Sequence, residues 1–159
     1  MPHSFAPLID KYTKVMVIGT MPGIASLEAG EYYAHPRNAF WLIMARLFNN
    51  GTAFSSYEEK KACLLSQGIG LWDNLQYCER DGSLDSNIRS EVPNDFETLL
   101  KQYPSVQKML FNGQKSFQFF KKFHPALAEQ LECHVLPSTS PANAAFKFED
   151  KLQEWKKFI

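Results

Sequence analysis

The chain is poor in the features that announce the commonest chemistries. Its three cysteines, Cys63, Cys78 and Cys133, are odd in number and never fall in a C-x-x-C spacing, which argues against a disulfide framework, a zinc site or an iron–sulfur cluster. It has no excess of either charge. Seventeen basic and seventeen acidic residues give a formal net charge of zero, so bulk electrostatics signals no polyanion, and any nucleic-acid contact must be local. No run approaches the roughly 18 apolar residues of a membrane span, and the start, "MPHSFAPLID", lacks the basic head and apolar stretch of an export signal. A Gly-Lys-Ser/Thr ending is missing, no lysine falls between Lys14 and Lys60, and the GxGxxG spacing is absent; Walker-type and dinucleotide sites are thereby disfavoured. The expectation is an unexported protein of the reduced cytoplasm, without metal, cofactor or membrane contact, acting as a monomer.

With 159 residues, 45% of them hydrophobic and 14% aromatic, the chain fits a single domain over 1–159, able to bury roughly 70% of its unfolded surface. Four short apolar runs read as buried parallel strands: 14–20, 68–73, 106–112 and 133–138. Segments with helical spacing lie between them, at about 38–48, 57–66, 94–102, 114–123 and 148–158, with Ser56 and Asn94 as candidate caps. Strand and helix alternate throughout. That order predicts an α/β fold, a three-layer αβα sandwich on a central, mainly parallel four-stranded sheet, with its ligand site at the carboxyl edges of the strands.

Two loops after strands carry unusual residue choices. In "GTMPG", Gly19 and Gly23 permit close backbone approach and Pro22 stiffens the turn, leaving amides free to face a ligand; a purely structural turn is the alternative. The downstream "LPSTSPANA" packs hydroxyls and an asparagine into a short span with no charge. It reads either as a polar turn into the last helix or as a phosphate clamp built from hydroxyl and backbone N–H donors.

Together the two loops resemble the uracil-DNA glycosylase superfamily, in which "GTMPG" stands for a glycine-x-x-proline motif after the first strand and "STSPAN" for an "HPSPLS"-type loop after the last. The continuation "YYAHPRNAFW" is similar to the mismatch-specific branch. Residues 71–88, "LWDNLQYCERDGSLDSNI", resemble more narrowly the hypoxanthine-DNA (deoxyinosine) glycosylases. The resemblance implies hydrolysis of an N-glycosidic bond in DNA after the deaminated base leaves the stack, with no covalent nucleophile.

Residue by residue, the resemblance implies a base pocket of Gly19, Thr20, Met21, Pro22, Gly23, Tyr33 and Asp73. Tyr33 would stack on the base, with Tyr32 left to packing. Backbone amides of 20–23 would donate to the base carbonyl, and Asp73, with Trp72 and Asn74 as competitors and a turn cap as the alternative, would accept from a ring N–H. Met21 occupies the place where relatives often carry a water-orienting side chain, and a thioether cannot do that work. The role passes to Asn38, whose alternative reading is a helix cap before "AFWLIMARLF". Ser138, Thr139, Ser140, Pro141, Ala142 and Asn143 would hold DNA, with Ser140 on a phosphate and Ala142 and Asn143 at the wedge. Ser138 replaces the His or Asn of many relatives, which removes the usual partner for the leaving base. Arg37, Arg80, Arg89 and Lys147 are candidate phosphate contacts, and His35 reads as a packing residue. The rival readings are a mismatch-type uracil or thymine glycosylase and a non-catalytic nucleotide- or nucleic-acid-binding module.

Overall fold

The computed structural model describes residues 3–159; Met1 and Pro2, the first residues of the expected 1–159 domain, lie outside the described residues. Its elements in chain order are β1 (Val15–Gly19), α1 (Ile24–Ala29), α2 (Phe40–Phe48), α3 (Tyr57–Ser66), β2 (Ile69–Asp73), β3 (Leu75–Glu79), a 3-10 turn (Asp85–Asn87), β4 (Arg89–Pro93), α4 (Phe96–Gln102), β5 (Lys108–Asn112), α5 (Gln114–Phe123), α6 (Pro125–Gln130), β6 (Glu132–Leu136) and α7 (Phe148–Lys156). The sheet order is β2-β1-β5-β6, and all three pairings are parallel. The four runs expected as strands therefore form one sheet.

The side-chain alternation of a strand sorts the apolar residues into two cores. Val17, Ile69, Leu71, Leu110 and Leu136 point to one face, where they meet Phe40, Ile43 and Met44 of α2, Leu64 of α3 and Trp155 of α7. Met16, Ile18, Trp72, Met109 and Phe111 point to the other, against Phe96 and Leu99 of α4 and Phe120 of α5. β1, β2 and β5 are thus apolar on both sides, as a sheet covered by helices on both faces requires, while the edge strand β6 keeps Glu132 and Val135 exposed. This is the three-layer sandwich.

Several details depart from expectation. The cap of α4 is Asp95, whose carboxylate accepts from Thr98 N–H at 3.1 Å; Asn94 instead turns inward and donates to the Asp73 carbonyl at 2.8 Å. Ser56 does cap α3, accepting from Glu59 N–H. An antiparallel pair, β3 with β4, stands apart from the main sheet and packs Leu75 and Cys78 against Met21 and Phe119. The six-residue helices α1 and α6 are also additions.

Topology places the site. From β1 the chain crosses to β2 on one side, then returns to β5 on the other, so the connections leaving β1 and β5 diverge and open a crevice at the carboxyl ends of these two strands.

Candidate active site

A cleft of about 960 Å³ occupies that crevice. Its walls come from residues 19–26 after β1, Tyr32 to Asn38 ahead of α2, Asp73 at the end of β2, residues 83–85 inside the β3–β4 hairpin, residues 112–114 after β5, and residues 135–143 around the loop after β6. Every residue of the expected base pocket, Asn38 and the whole 138–143 segment line this one space.

Asp73 ends β2 with its side chain turned into the cleft. It is 4% exposed. Burial pushes its carboxyl up from 3.8 to about 7, the nearby Asp85 adds to the rise, and Arg80 opposes it. The two competitors point elsewhere: Trp72 packs on Phe96 in the opposite layer, and Asn74 is buried with its amide donating to Gly19 O, Ser116 O and Ser116 Oγ. Gly19 is required beneath Asp73, because a Cβ there would overlap Asp73 Oδ1 and approach the Tyr33 hydroxyl to 3.2 Å.

Tyr33 adopts the left-handed backbone region, φ +56°, which costs a bulky residue on the order of 1–3 kcal/mol and is tolerated where surrounding packing imposes it. Its ring lies 4.3 Å from that of Phe40, centroid to centroid. Its hydroxyl is buried without a hydrogen-bond partner, the neighbouring Asn112 amide being spent on Thr139; burial, with Asp73 close by, holds the phenol far above its ordinary value. Tyr32 is the packing tyrosine, 5% exposed, with its hydroxyl donating to Ala6 O at 2.8 Å.

Asn38 precedes α2 on the cleft wall. Its Oδ1 accepts from Phe40 N–H at 3.0 Å, the capping contact, while the next residue, Ala39, donates its N–H to Thr139 O at 2.9 Å. The asparagine is thereby clamped beside the downstream loop. His35 accepts from Arg37 N–H through Nδ1 at 3.1 Å, a local turn contact.

The downstream loop is held from three sides. Asn112, at the end of β5, accepts from Thr139 N–H and donates to Thr139 Oγ1, both at 2.9 Å. From α7, Trp155 Nε1–H donates to Pro137 O at 3.0 Å and the buried Lys151 ammonium to Ser140 O at 3.4 Å. Gly113, at φ +97°, leaves the space into which Ser138 packs.

Comparison with known proteins agrees with this architecture. The sequence profile of the Uracil DNA glycosylase superfamily matches residues 6–159. The chain belongs to the uracil DNA glycosylase superfamily. A hypoxanthine DNA glycosylase of Methanosarcina barkeri is 34% identical over 89% of this chain and 87% of its own. Its namesake in Methanosarcina acetivorans is 33% identical over 97% of this chain and 95% of its own. A Methanosarcina acetivorans protein solved by solution NMR, described as a candidate uracil DNA glycosylase, superposes with a TM-score of 0.82 at 32% identity, covering 98% of this chain and 94% of that one.

Within this member of the superfamily, one assignment, that of Arg80, needs correction, and two residues of the downstream loop are held internally. Thr139 is fully buried and fixes the loop through its bonds with Asn112. Arg80 is not a surface cation: its side chain is 4% exposed and lies 3.4 Å from Asp85 Oδ1, and its second nitrogen donates to Pro22 O. Asn143 is turned back, donating to Ser138 O at 3.1 Å, whereas Ala142 is exposed. Two functional-site residues escaped the sequence reading, Asn112 and Asp85. An asparagine ending the run "KMLFN" was the signal for the first. Nothing short of the hairpin's geometry marks the second.

Proposed function

We propose that the protein is a monofunctional DNA glycosylase of base excision repair that hydrolyses the N-glycosidic bond of a deaminated nucleotide, hypoxanthine in deoxyinosine being the substrate. The observation that carries this is the convergence of Tyr33, Asp73, Asn38 and both signature loops on one cleft large enough for a purine nucleotide. The names of the two Methanosarcina relatives support the choice of base.

In this reading the nucleotide swings out of the duplex, because the anomeric carbon is inaccessible in the stack. Tyr33 offers its ring to the base. Amides of residues 20–23 donate to the base carbonyl, and Asn38 presents water to a sugar that has become oxocarbenium-like. Ser140 and the backbone around it take a flanking phosphate, and Ala142 sits at the gap left in the stack. No lysine lines the cleft among the described residues, in keeping with a product that is an abasic site rather than a nick. The chain works as one unit and a monomer on DNA of the cytoplasm.

A panel of duplexes carrying inosine, uracil, xanthine or mismatched thymine tests the reading. Release of hypoxanthine ahead of the other bases is the expected result. Faster release of uracil or mismatched thymine would favour the mismatch-type alternative, for which the description of the solved relative speaks. Binding with no release of any base would make the protein a non-catalytic module.

A further inference from the structure

Two carboxylates, Asp73 and Asp85, line the cleft with Arg80 beside one of them, and they are not equivalently partnered. Arg80 is committed to Asp85 at 3.4 Å and to the Pro22 carbonyl. Asp85 has the Thr20 hydroxyl beside it as well. Asp73 has neither: its buried carboxyl takes no hydrogen bond from the described residues, and its oxygens are not sealed from the cleft. Asp73 Oδ1 and the orphan hydroxyl of Tyr33 both border the space that a Cβ on Gly19 would fill. Burial, with the like charge of Asp85 nearby, raises the carboxyl to about 7, so that the neutral acid is well populated at neutral pH. A neutral carboxyl in contact with the base is a donor, which changes the role expected from sequence, where an ionised Asp73 would only accept.

We propose that Asp73 is the general acid of base release, donating its carboxyl proton to the imidazole-ring nitrogen N7 of the flipped purine as the glycosidic bond breaks. This rests on the reading of hypoxanthine as substrate. The Asp73 O–H bond breaks and an N7–H bond forms, while the C1′–N9 electron pair passes to the base, which leaves as neutral N7–H hypoxanthine. The water positioned at Asn38 gives its oxygen to C1′, and the proton it sheds returns through solvent to the Asp73 carboxylate. Deoxyinosine and water become hypoxanthine and an abasic deoxyribose. N7 is the productive acceptor, because protonation there yields the stable oxo tautomer directly, whereas protonation at O6 would leave a higher-energy hydroxy tautomer that must shift its proton again. The loss of the usual leaving-group partner at Ser138 is offset by this route.

The titratable and charged groups around Asp73 are Tyr32 and Tyr33 ahead of α2, Asp85 and Arg80 from the hairpin, and Lys115 of α5 near Asp85; His35 and Glu154 line the same cleft. The test is single-turnover release from a deoxyinosine duplex between roughly pH 5.5 and 8.5, run on the parent, Asp73→Asn, Asp85→Asn and His35→Gln. The parental rate should fall by about tenfold per pH unit on the alkaline side of neutrality. Asp73→Asn should lose about 10²- to 10⁴-fold on the acid side, the range of a general acid, and lose the limb with it. Asp85→Asn should move the limb to lower pH, since it removes the like charge, and His35→Gln should leave the limb where it is. A 7-deaza-deoxyinosine duplex should compete for binding as well as the deoxyinosine duplex, for the parent and for Asp73→Asn alike, yet release nothing. A flat parental profile, a limb that survives Asp73→Asn or vanishes in His35→Gln, or release from the 7-deaza duplex would overturn the acid while leaving the substrate reading intact. Absence of hypoxanthine release at every pH would overturn the substrate reading, and the acid with it.

Discussion

The proposed water-holding role of Asn38 and its contact with the start of α2 can share a single oxygen. Its Oδ1 accepts from Phe40 N–H, but an amide oxygen has a second lone pair, and the residue faces the cleft, so capping α2 does not prevent it from holding a water. Asn38→Ala removes both. Single-turnover excision should fall by about two orders of magnitude, the scale of a lost positioning group, and stability by about 1 kcal/mol, the scale of a lost cap. An alanine variant that melts early but excises at the parental rate would leave Asn38 as a cap alone. Asp73 makes a separate prediction about stability. Its folded value, about 7, lies above the ordinary 3.8, so between these two the folded chain holds the proton more tightly than the unfolded one. The resulting stability is fully present at about pH 4 and is lost as pH rises through about 7. Asp73→Asn removes the ionisation and should therefore melt above the parent at about pH 8, by at most about 4 kcal/mol of unfolding free energy, with the gap closing by about pH 4. Equal melting temperatures at alkaline pH would show that Asp73 ionises at no cost.

At the scale of elements, the β3–β4 hairpin works as a strap over the first signature loop. Ile24 N–H donates to Ser83 Oγ at 2.9 Å, Arg80 donates to Pro22 O, and Asp85 lies against Thr20. Arg80→Met keeps the length of the side chain but strands the Asp85 carboxylate and the Pro22 carbonyl. It should cost about 1–3 kcal/mol, the price of buried polar groups left unpaired, measurable as a shifted denaturation midpoint; an unchanged midpoint would mean that water replaces the guanidinium freely. None of this was legible in the sequence. "LQYCE" and "RSEVP" each expose part of one face, so they lack the continuous apolar run that marked the sheet strands, and residues 80–88 join them without a two-residue turn signal. The sheet strands were legible because burial on both faces of β1, β2 and β5 leaves runs of consecutive apolar residues, with polar side chains confined to the strand ends. α3 and α5 matched their expected bounds, 57–66 and 114–123, while α4 began late because "ND" offers two capping residues in a row and Asp95 takes the role. The cleft residues were legible where a polar side chain follows an apolar strand, as at Asp73. Arg80 misled because a guanidinium buried by its partner looks, in sequence, like any solvated charge.

For the molecule as a whole, the absence of net charge constrains how it can hold a polyanion. A basic protein gains affinity by releasing counterions from many phosphates, and its binding then weakens steeply with salt. Here the cations near the cleft are few. Arg37 and Lys147 are exposed, Arg89 is shared with Asp81 at 3.8 Å, and Lys151 sits buried beneath the loop with its ammonium on the Ser140 carbonyl. The remaining donors at the proposed DNA site are neutral hydroxyls and amides of residues 138–143, which would hold phosphate oxygens without displacing a matching number of counterions. The plot of log affinity against log salt for an uncleavable deoxyinosine analogue duplex should therefore have a shallow slope, about −1 to −3, corresponding to roughly one to three neutralised phosphates. Lys147→Ala should flatten it by about one more unit, whereas Ser140→Ala should weaken binding at every salt concentration without changing the slope, because the hydroxyl carries no charge. A slope of about −6 or steeper would mean that a broad basic surface grips the duplex, and the neutral loop would then be a minor part of the interface.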